Sequence, residues 1–212
     1  MPPADRRGTP EAAAGARPWL ITIAASAGGI QAVGAILRSL PKDLPAAIVV
    51  VQHRAPERDR ILHRILGRAS RLPVLDAAEG NEIQPGAVYV ARADSHLTVA
   101  ANRTFQYQDG RKIRFVHSSA NPLFESAARV FDGHVIAVVL TGGGHDATDG
   151  VQGVKAHGGL VIAQNQATSE HWSMPRSAIR SGAVDYVLPL EAIGPALNDI
   201  VHGRPVSIAA PQ

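Results

Sequence analysis

The stretch Leu20–Leu40, LITIAASAGGIQAVGAILRSL, leaves a chain few choices of fold. An apolar run rich in Ile and Thr reaches Ala24, turns through Ala25-Ser26-Ala27-Gly28-Gly29, and then changes period. After the turn Ile30, Val33, Leu37 and Leu40 fall at i, i+3, i+7 and i+10, which is one stripe of a helix. The reading is strand, tight glycine-containing turn, helix. Such a turn sets its central side chain at the carboxyl end of a strand and beside a helix N-terminus. Sites in open α/β sheets gather at that edge, and the helix end offers free N–H groups and positive potential. Ser26, at the centre, is a candidate nucleophile.

The same rhythm runs through most of the chain. Ala46–Gln52 (AAIVVVQ) and Val135–Leu140 (VIAVVL) are continuous apolar runs, the pattern of strands buried on both faces. Leu72–Leu75, Leu160–Ala163 and Asp185–Leu188 are shorter strand candidates. Between them lie helical patterns: Ile61, Leu62, Ile65 and Leu66 on one side of one helix; Asn121 and Pro122 as N-cap and first helical position of a second; Val151 and Val154 in a third, stopped by Gly158-Gly159. Pro175–Ser181 and a last helix through Ile193, Leu197 and Ile200 follow. One section differs. Ala87–Ala91 and His96–Ala100 alternate around Arg92–Ser95, and Phe105–Tyr107 and Ile113–Phe115 flank the turn signal Asp109-Gly110, so two antiparallel hairpins are expected there. The fold expected is α/β: a doubly wound, mainly parallel sheet with helices on both faces and an antiparallel hairpin extension. Residues 1–18, without apolar periodicity, read as a flexible N-terminal tail, 19–203 as the folded domain, and 204–212 as a C-terminal tail.

Composition narrows the function. Aromatic residues are only 4% of 212, so the core is expected to be built from Ala, Val, Ile and Leu, which favours buried parallel strands over a β-sandwich. The net charge of +3 is mild and the arginines are scattered, which argues against nucleic acid as a partner. No apolar run approaches the ~18–20 residues of a membrane span, and no signal-peptide pattern opens the chain. There is no cysteine, which excludes disulfides, thiolate metal sites and a cysteine nucleophile, and is compatible with the cytoplasm.

Three polar residues stand where a buried strand gives way to a loop: Ser26, His53 and Asp146. Parallel strands present those ends along one edge, so residues distant in sequence can converge. A serine hydroxyl is weak until an imidazole takes its proton, and a carboxylate must hold that imidazole in the right tautomer. The loop Gly142-Gly143-Gly144 and the turn at Ala27 could offer N–H groups to an oxyanion. Each residue also has a plainer role. Ser26 could cap a helix or sit in a phosphate-cradling nucleotide loop; His53 could be structural; Asp146 could be an N-cap or a Mg²⁺ ligand. His145 and Asp149 have no recognised metal-ligand spacing.

The segments ITIAASAGGIQAV, IVVVQHRAP, PGAVYVARADSHL, LFESAARVF, VVLTGGGHDATDGV, GGLVIAQNQATSEHWSMPRSAI and GAVDYVLPL come in an order and spacing that resembles the catalytic domain of CheB-type chemotaxis methylesterases, from about Trp19 to Leu197. Members of that family hydrolyse glutamyl methyl esters on chemoreceptor signalling helices and deamidate certain receptor glutamines. The resemblance implies Ser26 as nucleophile, His53 as base and Asp146 as its orienting carboxylate. It implies oxyanion and substrate-binding positions at Ala27, Gly28, Gly142, Gly143, Gly144 and Met174, and neither metal nor cofactor. The implied partner is a methylated chemoreceptor cytoplasmic domain, with a methyltransferase or a separate receiver protein as further partners.

Four positions depart from the family's usual residues: Ala27 replaces Thr, Gly143 replaces Met, Asn121 replaces Asp and Ala147 replaces Gly. The receiver domain usual in the family has no counterpart in the tail 1–18. Two other readings follow from these changes: a non-catalytic module that binds a receptor or methyltransferase, and an esterase for a different substrate.

Overall fold

A computed structural model describes residues 17–54, 61–108 and 118–206. Strand β1 (Trp19–Ala25) lies at the centre of a seven-stranded parallel sheet and hydrogen-bonds on one side to β2 (Ala46–Gln52) and on the other to β7 (Val135–Val139). Beyond β2 come β4 (Val88–Val90) and then β3 (Val74–Asp76); beyond β7 come β8 (Leu160–Gln164) and β9 (Tyr186–Leu188), in the order β3-β4-β2-β1-β7-β8-β9. The chain winds outward from β1 in one direction, then returns to lay β7 on its other side. That reversal opens a crevice at the carboxyl ends of β1, β2 and β7, the place where such sheets bind their ligands.

β1 and β2 are apolar on both faces because both faces are covered. Ile21, Ile23, Ile48 and Val50 pack with Val33 and Leu37 of α1 (Gly29–Ser39), Leu62 and Leu66 of α2 (Leu62–Gly67) and Leu197 of α6 (Leu190–Val201). Leu20, Ala24, Val49 and Val51 face the opposite way, toward Phe124 and Phe131 of α3 (Asn121–Phe131), Val151 of α4 (Thr148–Ala156) and Met174 of α5 (Ser173–Arg180). The period-2 alternation of a strand thus sorts its side chains into two cores. Every one of these strand side chains is essentially inaccessible, and each fully buried Leu, Ile or Val contributes about 1.5–3 kcal/mol. Among the described residues no helix is long and apolar enough to cross a membrane.

The doubly wound sheet agrees with expectation; the antiparallel section needs correction. Ala87–Ala91 does not pair with His96–Ala100. Its core becomes β4, between β2 and β3 in the parallel sheet, while β5 (His96–Val99) pairs antiparallel with β6 (Phe105–Gln108), so that Leu97 faces Tyr107 and Val99 faces Phe105. Val88, Tyr89 and Val90 are buried on both faces, which the sheet can satisfy and a two-stranded ribbon cannot. Of the expected hairpin around Asp109-Gly110, the first arm Phe105–Tyr107 falls in β6, whereas the turn and Ile113–Phe115 lie outside the described residues, as do 1–16 of the expected N-terminal tail and 207–212 of the C-terminal one. On α2 only Leu62 and Leu66 are buried, whereas Ile61 and Ile65 stand 51% and 41% exposed. The four do not form one buried side.

Candidate active site

The ladder of the central strands runs one step beyond the strands themselves. Ser26 N–H donates to Thr141 O at 3.0 Å, and His53 N–H donates to Ala25 O at 2.9 Å. Three strand ends are therefore held flush, and the residues that follow them share one edge. After β1 the chain takes a left-handed step at Gly28 (φ 76°) before α1 begins at Gly29. A β-carbon at Gly29 would overlap Gln52 Oε1 and come 2.6 Å from Ala25 Cβ. Glycine is required there by the closeness of β2.

Ser26 and His53 line one cavity of about 700 Å³, together with Ala27, Gly28, Gln52 and Arg54, and with Ile61 and Ile65 on its apolar side. Ser26 Oγ makes no hydrogen bond to His53 among the described residues. Behind the imidazole lies Asp146: His53 Nε2 is 2.8 Å from Asp146 Oδ2. With Nε2 committed to the carboxylate, Nδ1 is the ring nitrogen left to accept a proton.

Asp146 is 4% exposed, and a buried carboxylate is tolerated only when its oxygens are occupied. Oδ2 also accepts from Ala120 N–H at 2.8 Å. Oδ1 accepts from the Ser119 hydroxyl at 2.6 Å and from Asn121 Nδ2 at 3.3 Å. These donors lie just before α3 and at its first residue, so the positive end of the helix meets the carboxylate. Burial alone would raise the Asp146 pKa. The hydrogen bond and charge of His53, the Ala120 N–H and the Ser119 hydroxyl outweigh it and hold the carboxyl below the usual range.

Asn121 was expected to cap α3. Instead Ala120 precedes the helix and Asn121 begins it, with its Oδ1 accepting from Gly150 N–H at 2.7 Å and its Nδ2 reaching Asp146. The side chain bridges α3 and α4 because its donor and acceptor ends face two elements. Two further contributors carry no motif in the sequence. Ser119 has only its place before Asn-Pro to mark it. Gln52, buried beside the cavity, donates through Nε2 to the carbonyls of Ser26 at 2.7 Å and His53 at 3.1 Å.

The glycine loop divides. Gly142 N–H donates to His171 O at 2.9 Å, so it is not available to an oxyanion; its contribution is space. A β-carbon there would stand 2.8 Å from Ser26 Cβ and 3.0 Å from Met174 Cε. Met174, expected among the substrate-binding positions, is wholly buried beneath Gly142 and packs in the core. Gly143 and Gly144 are exposed, with nothing within 4 Å of a β-carbon at either. Neither lines the cavity that holds Ser26, whereas Ala27 and Gly28 do. His145 and Asp149 are exposed, and among the described residues no group of three or more His, Cys, Asp or Glu side chains gathers to hold a metal.

Comparison with known proteins matches this arrangement to one family. The model of the CheB methylesterase family covers residues 21–197. The crystal structure of the Thermotoga maritima CheB methylesterase catalytic domain superposes with a TM-score of 0.84 at 38% identity, over 86% of this chain and 98% of that one. A Leptospira interrogans protein is 40% identical over 173 residues, which are 82% of this chain and 90% of that protein. The protein-glutamate methylesterase/protein-glutamine glutaminase 2 of Caulobacter vibrioides is 39% identical over 179 residues, and there the match spans 52% of the relative's length. A match from the first central strand to the last helix, at this level of identity, leaves one conclusion: the chain belongs to the CheB methylesterase family.

Proposed function

We propose that the chain is a serine esterase that hydrolyses glutamyl methyl esters on chemoreceptor signalling helices and deamidates glutamines in the same cavity. The observation that carries this reading is the 2.8 Å bond from a buried, fully coordinated carboxylate to the imidazole that shares a cavity with Ser26. Phosphate binding would have no use for such a pair, and an inert binding module would gain nothing from burying it. The names of relatives such as those of Caulobacter and Thermotoga maritima join the two activities, which differ only in the leaving group.

Ser26 Oγ attacks the ester carbonyl as His53 Nδ1 takes its proton, and Asp146 stabilises the imidazolium and fixes its orientation. Among the described residues the serine has no hydrogen bond to His53 in the resting site; the Ser26–His53 contact tightens when substrate arrives. The oxyanion is met by the N–H groups of Ala27 and Gly28, neither of which donates to another backbone carbonyl among the described residues. His53 returns its proton to the leaving methoxide, and methanol departs. Water, deprotonated by His53, then opens the acyl-serine and frees the glutamate. With a glutamine substrate the leaving group is ammonia. The apolar wall of Ile61 and Ile65 beside the serine takes the body of the receptor helix, and the reaction takes place in the cytoplasm.

The test is methanol release from a methylated receptor fragment by wild type and by Ser26→Ala, with a fluorophosphonate probe to report the serine itself. Labelling of Ser26 with methanol release supports the reading. Labelling without release would assign the chemistry to another ester, and no labelling would end the serine-esterase assignment.

A further inference from the structure

His96 is a buried imidazole that the mechanism above leaves unused. It lies on β5, outside the parallel sheet, and is 2% exposed. Its Nδ1 accepts a hydrogen bond from Ser119 N–H at 3.0 Å. Nδ1 is thus the acceptor side of the ring in this contact. Ser119 is itself fully buried, and its hydroxyl is the 2.6 Å donor to Asp146 Oδ1. A chain of contacts therefore runs from His96 through Ser119 and Asp146 to His53.

The position of Ser119 matters because the peptide that follows it is Ala120, whose N–H meets the other carboxylate oxygen. Fixing the Ser119 main chain thus aims two of the donors that orient Asp146. The first turn of α3 cannot fix it alone, since residue 119 precedes the helix and its N–H has no partner within it. A second tie holds the same two elements together: Val99 N–H on β5 donates to Ser126 Oγ on α3 at 2.9 Å. The antiparallel pair β5–β6, which stands apart from the seven-stranded sheet, bears on the site through this contact.

We infer that His96 is a positioning residue for the reaction: by accepting from Ser119 N–H it holds the donors that aim Asp146 at His53. This rests on the serine-esterase reading above. The side chain that should replace it is asparagine, because Oδ1 stands at the same number of bonds from the backbone as Nδ1 and accepts in the same way. Leucine fills much of the volume and accepts nothing.

The experiment compares wild type, His96→Asn and His96→Leu for kcat and KM of ester hydrolysis, for the rate of fluorophosphonate labelling of Ser26, and for Tm. The expected result for His96→Leu is a fall of roughly 10- to 100-fold in kcat and in labelling rate, with KM little changed. His96→Asn should recover most of both, although it fills the site less well and melts lower than wild type. Ser119→Ala added to His96→Leu should cost little more, since both substitutions release the same carboxylate. Equal losses in His96→Asn and His96→Leu, or unimpaired labelling in His96→Leu, would overturn the inference while leaving the esterase reading intact. A wild-type protein that neither labels nor hydrolyses would overturn both.

Discussion

The turn that carries Ser26 and the cradle that holds Asp146 lie on one sheet edge, yet they are built by opposite means. The turn is local. Strand, serine, left-handed Gly28 and helix follow within a few residues, and its geometry is enforced by contacts too tight for side chains, at Gly29 against Gln52 and at Gly142 against Ser26. The cradle is assembled from a distance. Ser119, Ala120 and Asn121 come from the start of α3, His53 from the end of β2, and His96 from β5 behind them, all joined by hydrogen bonds. Steric exclusion sets Ser26; polar satisfaction sets Asp146. Substitutions at the two regions should therefore fail differently, the first losing rate with little stability and the second losing both.

The largest effect is expected from Ser26→Ala, which should lower kcat by about 10⁴-fold or more while leaving Tm unchanged. A large fall in Tm would contradict the idea that the turn is shaped by its neighbours rather than by the serine. Asp146→Asn comes next, with a rate loss of about 10³–10⁴-fold through the wrong imidazole tautomer. It should also lose stability at neutral pH, because one amide end must face donors. The sign of its pH dependence follows from the depressed carboxyl pKa. A carboxylate held below its unfolded value of about 3.9 stabilises the fold above that pH, and the contribution disappears as pH falls through the folded value. Urea midpoints measured from pH 6 down to pH 3 should therefore drop more steeply in wild type than in Asp146→Asn. Parallel curves would mean the cradle adds nothing.

Gly142 and Gly143 are adjacent but should answer in opposite ways. Gly142→Ala forces a methyl within 2.8 Å of Ser26 Cβ, and a displacement of Ser26 by even a fraction of an ångström should cost roughly 10- to 100-fold in kcat. Gly143→Met sends its side chain into open space, should leave Tm within a degree or two, and should lower turnover of small model esters relative to the receptor substrate by partly roofing the site. Equal kinetics for small and large substrates would show that this position does not control access.

The smallest effect belongs to Ala147, which follows Asp146 and caps α4 at φ 70°. A left-handed alanine is strained by about 1–2 kcal/mol, but its methyl is completely buried, and removing that group costs about 0.8 kcal/mol. Ala147→Gly should thus change unfolding free energy by no more than about 1 kcal/mol in urea titration. A strong loss would mean that the methyl packs against the cradle more tightly than its burial implies.

Much of the turn was readable from the residues alone. The change from a strand run to a 3.6 period at Ser26, and the continuous apolar runs at 46–52 and 135–140, define their elements without help, because burial on both faces leaves the same mark wherever it occurs. The segment 87–100 misled for the same reason. A short alternating run reads equally as hairpin or sheet strand, and β4 was captured by the free edge of β2. Asn121 looked like a cap because Asn before Pro is usual there, while its actual partners, Gly150 and Asp146, are about 25–29 residues away. No local pattern encodes them.

The sequence by itself determined the order of strands and helices, the site edge, and Ser26, His53 and Asp146 as candidates, since periodicity and strand ends are properties of neighbouring residues. Only the tertiary structure decided that Gly142 and Met174 serve packing beneath the serine, that the cavity opens toward Ile61 and Ile65, and that Ser119 and His96 stand behind the carboxylate. Those facts depend on which atoms approach within hydrogen-bond or van der Waals distance across long loops. That is settled by the whole fold at once.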